Sequence, residues 1–305
     1  MSRIAAIDLG TNTVRILVVD VNGEGGYSPL FSGQTVTRLG QGLHETGSLA
    51  PEAIKRTTDG VAELIKRADS FAPFSLTITA TSAGREAANS EALDAMIRSA
   101  TGHGIKIISG DEEARLSLKG VQLAIDDDDF ILIDVGGGST EFIFCKDGTL
   151  AKVYNSNLGV VRLCETYLTK HPVIEKEYNE MTSEIDRVVN EAFNHLDAGE
   201  GAMLVGTAGT ITSLAAIAMG MVDYSPAKIN NYRLTDEMLE SLRLKLSALT
   251  IEERSHMPIL RGGREDLIIP GVAIVQSVIK RFGSSQMVVS DYGLREGLIM
   301  ELMEK

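Results

Sequence analysis

The chain has 305 residues, 44% of them hydrophobic and 23% charged, with a formal net charge of −13. That length fits two domains, and the acidic balance excludes a general basic face for nucleic acid or anionic lipid, so a phosphate-rich ligand needs a local pocket of N–H groups, arginines and metal. Apolar stretches fall short of the ~20 residues of a membrane span. MSRIAAIDLG lacks a signal-peptide pattern and Cys145 and Cys164 form no ligand cluster, so the expectation is a cytoplasmic protein with neither membrane nor nucleic-acid partners.

In chain order, strand-like runs are RIAAI, RILVVDV, SLTITAT, GIKIIS, FILID, EFIFCK, AKVYNS, AMLVG and QMVVS. Amphipathic helical patterns lie among them: PEAIKRTTDGVAELIKRA, SEALDAMIRSA, EEARLSLKGVQLA, EYNEMTSEIDRVVNEAFNHL, ITSLAAIAMG, TDEMLESLRLKLSAL, LIIPGVAIVQSVIKRF and a last helix, GLREGLIMELME. Strands alternating with helices predict α/β layers. The run IDDDD at 125–129 breaks a helix near Ala124 and marks a domain junction.

An internal repeat organises the chain. DLGTNTVRILVVDVNG, from Asp8, lies over DVGGGSTEFIFCKDG, from Asp134. Each reads Asp, apolar residue, Gly, two small or polar residues and a hydroxyl, then a β run that ends in a turn pair, Asn22-Gly23 or Asp147-Gly148. Each Asp therefore ends a first strand, and the Gly/hydroxyl loop enters a second, antiparallel one. A dinucleotide fingerprint would enter a helix instead, and the absence of a Gly-Lys dipeptide removes a P-loop. Glycines let backbone N–H groups form an anion nest. Carboxylates beside such a nest make sense when a divalent cation lies between them and a phosphate. A third loop, Gly206-Thr207-Ala208-Gly209-Thr210, leads from a short strand into an apolar helix whose N-terminus suits an anion.

With these loops in hand, the sequence resembles the acetate-kinase, sugar-kinase, Hsp70 and actin superfamily, and within it the exopolyphosphatase and guanosine pentaphosphate phosphohydrolase (Ppx/GppA) family. The blocks that carry the likeness are AAIDLGTNTVRI at 5–16, RLGQGL at 38–43, ATSAGREAAN at 80–89, ISGDEEARL at 108–116, IDVGGGSTE at 133–141, GTAGTITSLAAI at 206–217 and SDYGLREGL at 290–298. They imply two ribonuclease-H-like α/β domains around a central cleft, residues 1–124 plus 292–305 and residues 125–291, with the last helix crossing back to the first domain. A homodimer is also implied. Longer family members carry further helical domains after these two.

The resemblance implies a Mg²⁺-dependent hydrolase that releases terminal phosphate from polyphosphate, converts guanosine pentaphosphate to the tetraphosphate, or does both. Such chemistry needs an oriented water, neutralised phosphoryl oxygens and a metal. Glu113 is the expected general base, whereas Ser109 and Glu112 fit a capping box at the start of its helix. Asp134 and Glu141 are assigned to the metal and the attacking water, with Asp8 as a further metal-side carboxylate; a strand-end cap is the alternative for Asp8. Arg85 follows a strand and opens a helix, where a cation is unfavourable without an anion, and the family's arginine here binds phosphate. Arg15, Arg38 and Arg264 read as structural or surface arginines. Backbone N–H groups of Thr11, Asn12 and Thr13, of Gly136, Gly137, Gly138 and Ser139, and of Gly206, Thr207, Gly209 and Thr210 are expected to cradle phosphates.

Two other classes stay open: a phosphotransferase of the same superfamily, and a non-catalytic sensor of an alarmone or polyphosphate. The charge of −13 favours short-chain or nucleotide substrates at low salt.

Overall fold

Arg3–Leu9 and Thr13–Val21 form an antiparallel pair, β1 and β2, in the computed structural model, which describes residues 3–23, 25–72 and 74–304. The chain continues through β3 (Tyr27–Val36), α1 (Leu43–Thr46), α2 (Pro51–Ala68), β4 (Ser75–Ala80), α3 (Ser82–Glu86), α4 (Ser90–Thr101), β5 (Ile105–Ile107) and α5 (Gly110–Val121). Next come β6 (Phe130–Val135), β7 (Thr140–Lys146), β8 (Thr149–Ser156), α6 (Val160–Tyr167), α7 (Glu175–Leu196), β9 (Leu204–Thr207) and α8 (Ala208–Ala218). The remainder is α9 (Pro226–Ile229), β10 (Tyr232–Thr235), α10 (Asp236–Ser247), α11 (Ile251–Ser255), α12 (Ile268–Arg281), β11 (Gln286–Val289) and α13 (Leu294–Met303). These elements fall into two units, Met1–Gly120 with Leu294–Lys305, and Val121–Gly293.

The first unit holds one sheet in the order β3-β2-β1-β4-β5, antiparallel from β1 to β3 and parallel from β1 to β5. The second repeats that plan as β8-β7-β6-β9-β11 and adds β10 antiparallel to β11. Each unit is a ribonuclease-H-like α/β fold, and the sequence repeat is the visible part of this duplication.

Side chains alternate across a strand, and the first unit buries both faces. Ala5, Ile7 and Leu9 of β1 pack with Val14, Ile16 and Val18 of β2 under α2 and α4. Ile4 and Ala6 pack with Leu17 and Val19 against Leu116 of α5 and Leu294, Leu298 and Ile299 of α13. Burial on both faces explains why these strands read as continuous apolar runs. Gly297 lets α13 touch α5, because a Cβ there would overlap the Leu116 carbonyl. In the second unit, Ile131, Ile133 and Val135 of β6 join Phe142 of β7 in a core with α6, α7, α8, α10 and α12.

The structure adds β3, β10, α6 and the short helices α1, α9 and α11 to the runs read from the sequence, and it changes one expected turn. β3 was not anticipated, because Pro29 and Gly33 interrupt its pattern. It is the edge strand, where a proline is tolerated, and the pairing shifts register at Val18/Val19. α6 was also missed. Asn22-Gly23 does not form a two-residue turn: the Asn22 N–H donates to Gly26 O at 2.8 Å and β3 starts at Tyr27. Asp147-Gly148 does make a tight turn, with φ of 50° and 70°.

The Cys145 thiol on β7 is pushed up to about 11, first by burial and then by the charges of Asp128 and Asp129. At pH 8 only about 10⁻³ of it is thiolate, and the thiolate is the reactive form. Iodoacetamide followed by mass spectrometry is expected to leave Cys145 unmodified in the folded protein and to label it fully in denaturant. Rapid labelling without denaturant would contradict this.

Candidate active site

The two repeated loops share one backbone turn. Gly10 N–H donates to the Thr13 carbonyl at 3.1 Å, and Gly136 N–H donates to the Ser139 carbonyl at 2.9 Å. A Cβ on either glycine would press on that same carbonyl, at 3.2 and 3.0 Å, which explains the glycine at this place in both copies.

In each copy a later segment draws the loop's carbonyls to one side. In the first unit, Thr37 and Arg38 N–H both donate to Asn12 O, at 2.9 and 3.0 Å, and Gly40 N–H donates to Thr11 O at 2.9 Å. In the second, Val160 and Val161 at the start of α6 donate to Gly136 O and Gly137 O, at 3.2 and 2.8 Å. A trans peptide holds its N–H opposite its C=O. The N–H groups of Asn12 and Thr13 therefore point away from residues 37–40, and those of Gly137 and Gly138 point away from α6. Convergent N–H groups of this kind form an anion-binding concavity.

Gly40 and Gly159 make this possible. A Cβ on Gly40 would overlap the Thr11 side chain, and one on Gly159 would overlap the Gly137 carbonyl and the Gly138 backbone. Thr140 Oγ1, donating to Leu158 O at 2.5 Å, and Ser156 Oγ, donating to Thr140 O at 2.8 Å, bring Gly159 onto its loop. Sequence reading did not single out either glycine. Gly40 lies inside the RLGQGL block, whereas Gly159 carries no local signal.

The third loop enters a helix. β9 ends at Thr207, Ala208 takes a left-handed φ of 71°, and α8 follows. Thr207 holds the N-cap position but makes no side-chain cap, and its hydroxyl is turned to donate to Tyr292 O at 2.8 Å. The first-turn N–H groups, including those of Gly209 and Thr210, are thus left for an outside acceptor.

Asp134 and Glu141 are register partners across β6 and β7, 8% and 1% exposed. Directly opposed residues project to one face, and two like charges there destabilise a sheet. A hard divalent cation would relieve such repulsion, since Mg²⁺ takes one or two carboxylates while keeping waters and phosphate oxygens as its other ligands. The donor set therefore fits such a cation, although among the described residues no group of three or more His, Cys, Asp or Glu side chains is placed to hold one. Asp8 differs. Its partner across β1 and β2 is Arg15, so a cationic side chain already opposes it. The repeat that equates Asp8 with Asp134 equates Arg15 with Glu141.

In the first unit Arg85 donates to Glu113 and to Ile108 O, both at 2.9 Å. Glu113 is 8% exposed. Arg85 does not open a helix as expected: α3 spans five residues and Arg85 lies in its last turn. A macrodipole penalty there is negligible, and the anion beside Arg85 in this structure is Glu113. The capping box at Ser109 is half formed. Ser109 Oγ accepts from Glu112 N–H at 3.1 Å, but the Glu112 carboxylate pairs with Lys106 at 2.5 Å. Arg264 donates to Ser213 Oγ on α8 at 2.8 Å, and Arg38 has a left-handed backbone, φ 49°.

A profile of the Ppx/GppA phosphatase family matches residues 16–305. Exopolyphosphatase 2 of Mycobacterium tuberculosis is 30% identical over 316 residues, covering 99% of each chain. The crystal structure of an exopolyphosphatase from Cytophaga hutchinsonii superposes with a TM-score of 0.91 at 26% identity, over 99% of this chain and 98% of the other. An Aquifex aeolicus Ppx/GppA family member gives a TM-score of 0.81 at 27% identity, over 99% and 98%.

Proposed function

The chain belongs to the Ppx/GppA phosphatase family, and from that premise we propose that it hydrolyses phosphoanhydrides, releasing terminal phosphate from inorganic polyphosphate, with guanosine pentaphosphate as a second substrate. The observation that carries this reading is the Arg85–Glu113 pair, a largely buried carboxylate held at 2.9 Å by a guanidinium. The guanidinium orients the Glu113 carboxylate, which in this reading accepts a proton. The same cation can stabilise charge that develops on phosphoryl oxygens.

In this reading Glu113 orients a water and takes its proton as the water oxygen bonds to the terminal phosphorus. The bridging P–O bond breaks in line, and the shortened chain leaves with the electron pair. Arg85 pairs with the phosphoryl oxygens as the negative charge of Glu113 is lost. N–H groups of Asn12 and Thr13, of Gly137, Gly138 and Ser139, and of Gly209 and Thr210 hold phosphate oxygens. Asp134 and Glu141 would hold a divalent cation such as Mg²⁺, which when bound neutralises phosphate charge. A cytoplasmic setting suits two buried cysteines that form no disulfide, and no helix among the described residues is long and apolar enough to cross a membrane.

The test is phosphate release from short polyphosphate, long polyphosphate and guanosine pentaphosphate, with Mg²⁺ and with EDTA. Release that needs the cation, faster on short than on long polyphosphate, is the expected result. Stoichiometric transfer to an acceptor would replace this reading with a phosphotransferase, and tight binding without turnover would replace it with a sensor.

A further inference from the structure

We infer that Arg56, an exposed residue of α2, is a positioning residue for the first phosphate loop; this rests on the proposed function for its catalytic consequence only. A Cβ on Gly60 would come within 2.9 Å of the Thr35 methyl and 3.0 Å of the Thr37 methyl, so α2 touches the chain at the end of β3. Arg56 is one helical turn earlier, on the same face as Gly60.

From there its guanidinium reaches two successive carbonyls. Nε donates to Thr37 O at 2.5 Å, and Nη2 donates to Arg38 O at 3.2 Å. A planar fork with several donors suits such a pair better than a lysine does. Its two acceptors belong to the residues whose N–H groups both donate to Asn12 O. Arg38 is held at both ends, with its N–H on Asn12 and its carbonyl under Arg56. Its left-handed φ of 49° is one that an L side chain keeps only when its surroundings impose it. Next in line, Gly40 N–H fixes Thr11 O.

A relay of backbone bonds thus runs from Arg56 through residues 37–40 to the Thr11 and Asn12 carbonyls. Because N–H and C=O are opposed within a peptide, those carbonyls set the direction of the Asn12 and Thr13 N–H groups. Arg56 makes its hydrogen bonds to residues 37 and 38 and not to the loop itself, so it acts through the loop's geometry. α6 serves the second loop by direct contact, whereas the first loop depends on a segment without regular structure between β3 and α1, and Arg56 secures that segment.

The test compares Arg56→Met, Arg56→Gln and Arg56→Lys with Lys55→Met. Lys55 is the adjacent exposed cation, paired with Asp59 at 2.6 Å, and controls for net charge. Arg56→Met is expected to lower kcat/KM for short polyphosphate about tenfold, the scale of one charge-assisted hydrogen bond, mainly through KM. Arg56→Lys is expected to keep at least half of the activity, and Lys55→Met all of it.

Amide hydrogen exchange gives a readout independent of turnover. Residues 11–13 are expected to exchange faster in Arg56→Met, with the β1 and β4 amides and residues 136–139 unchanged. Wild-type kinetics together with wild-type exchange at 11–13 would overturn the inference, as would exchange raised equally across the whole first sheet, the mark of a structural role. Should Arg56→Met not fold, Arg56→Gln stands in with the same expectations. Should the wild type release no phosphate from any substrate, the proposed function fails, and exchange at 11–13 still decides the role of Arg56.

Discussion

Glu113→Gln is expected to lower kcat for phosphate release by about 10³-fold, the range in which loss of a general base falls, with KM changed little. Gln keeps the size of the side chain and its contact with Arg85, but it cannot take a proton from water. It also removes the charge that Arg85 balances at 2.9 Å. The adjacent residue supplies the control. Glu112 pairs with Lys106 at the surface, and Glu112→Gln should leave kcat within about twofold of wild type, because exposed ion pairs contribute little. Phosphate release measured on both proteins separates the two glutamates of the EEA block. Equal activities would remove Glu113 from the mechanism.

Gly159→Ala is expected to lower kcat/KM by about 10²-fold, because a displacement of roughly an ångström at a binding loop has that effect. The added methyl would overlap backbone atoms of Gly137 and Gly138, which cannot rotate out of its way. Either the start of α6 retreats and releases the Gly136 and Gly137 carbonyls, or the loop turns with it. Both outcomes disturb the N–H groups that face away from α6. Overpacking of this kind also costs about 1–3 kcal/mol of stability, so a thermal midpoint must accompany the kinetics. Gly23→Ala is a suitable control, since a Cβ there meets nothing within 4 Å. At Gly40 the overlap is with the Thr11 methyl, a side chain that can turn, and the penalty should be milder. Wild-type kcat/KM in a folded Gly159→Ala protein would show that the loop does not depend on α6.

The hairpin loops were legible because their requirements are local. Gly10 and Gly136 each face a carbonyl three residues later, within one turn, and that spacing is printed in the sequence. The strand before each loop and the helix after Thr207 follow from periodicity over a handful of residues. What could not be read depends on approach between distant segments. Gly159 is a glycine because of Gly137 and Gly138, and Arg56 matters through carbonyls eighteen and nineteen residues away. No local pattern encodes such distances. The partner of Glu112 was misjudged for a related reason. The capping-box pattern was present, but Lys106, on the strand side of the turn, competes for the same carboxylate with a full charge. For Arg85 the dipole argument does not hold, since its helix is only one turn long, and the anion beside it is Glu113, from a helix 28 residues on.

The position of α13 bears on the order in which the protein can assemble. One face of the first sheet, Ile4, Ala6, Leu17 and Val19, is covered by Leu294, Leu298 and Ile299 from the far end of the chain. During synthesis Val121–Gly293 forms an uninterrupted stretch that can complete its own core while the earlier strands, packed only on Leu116 of α5, still lack the α13 part of their cover. At ribosomal rates of roughly 5–20 residues per second, that apolar face stays open for roughly 10–40 s after Gly120 is made. A nascent chain stalled before Leu294 would display it indefinitely, as a sticky surface suited to chaperone capture.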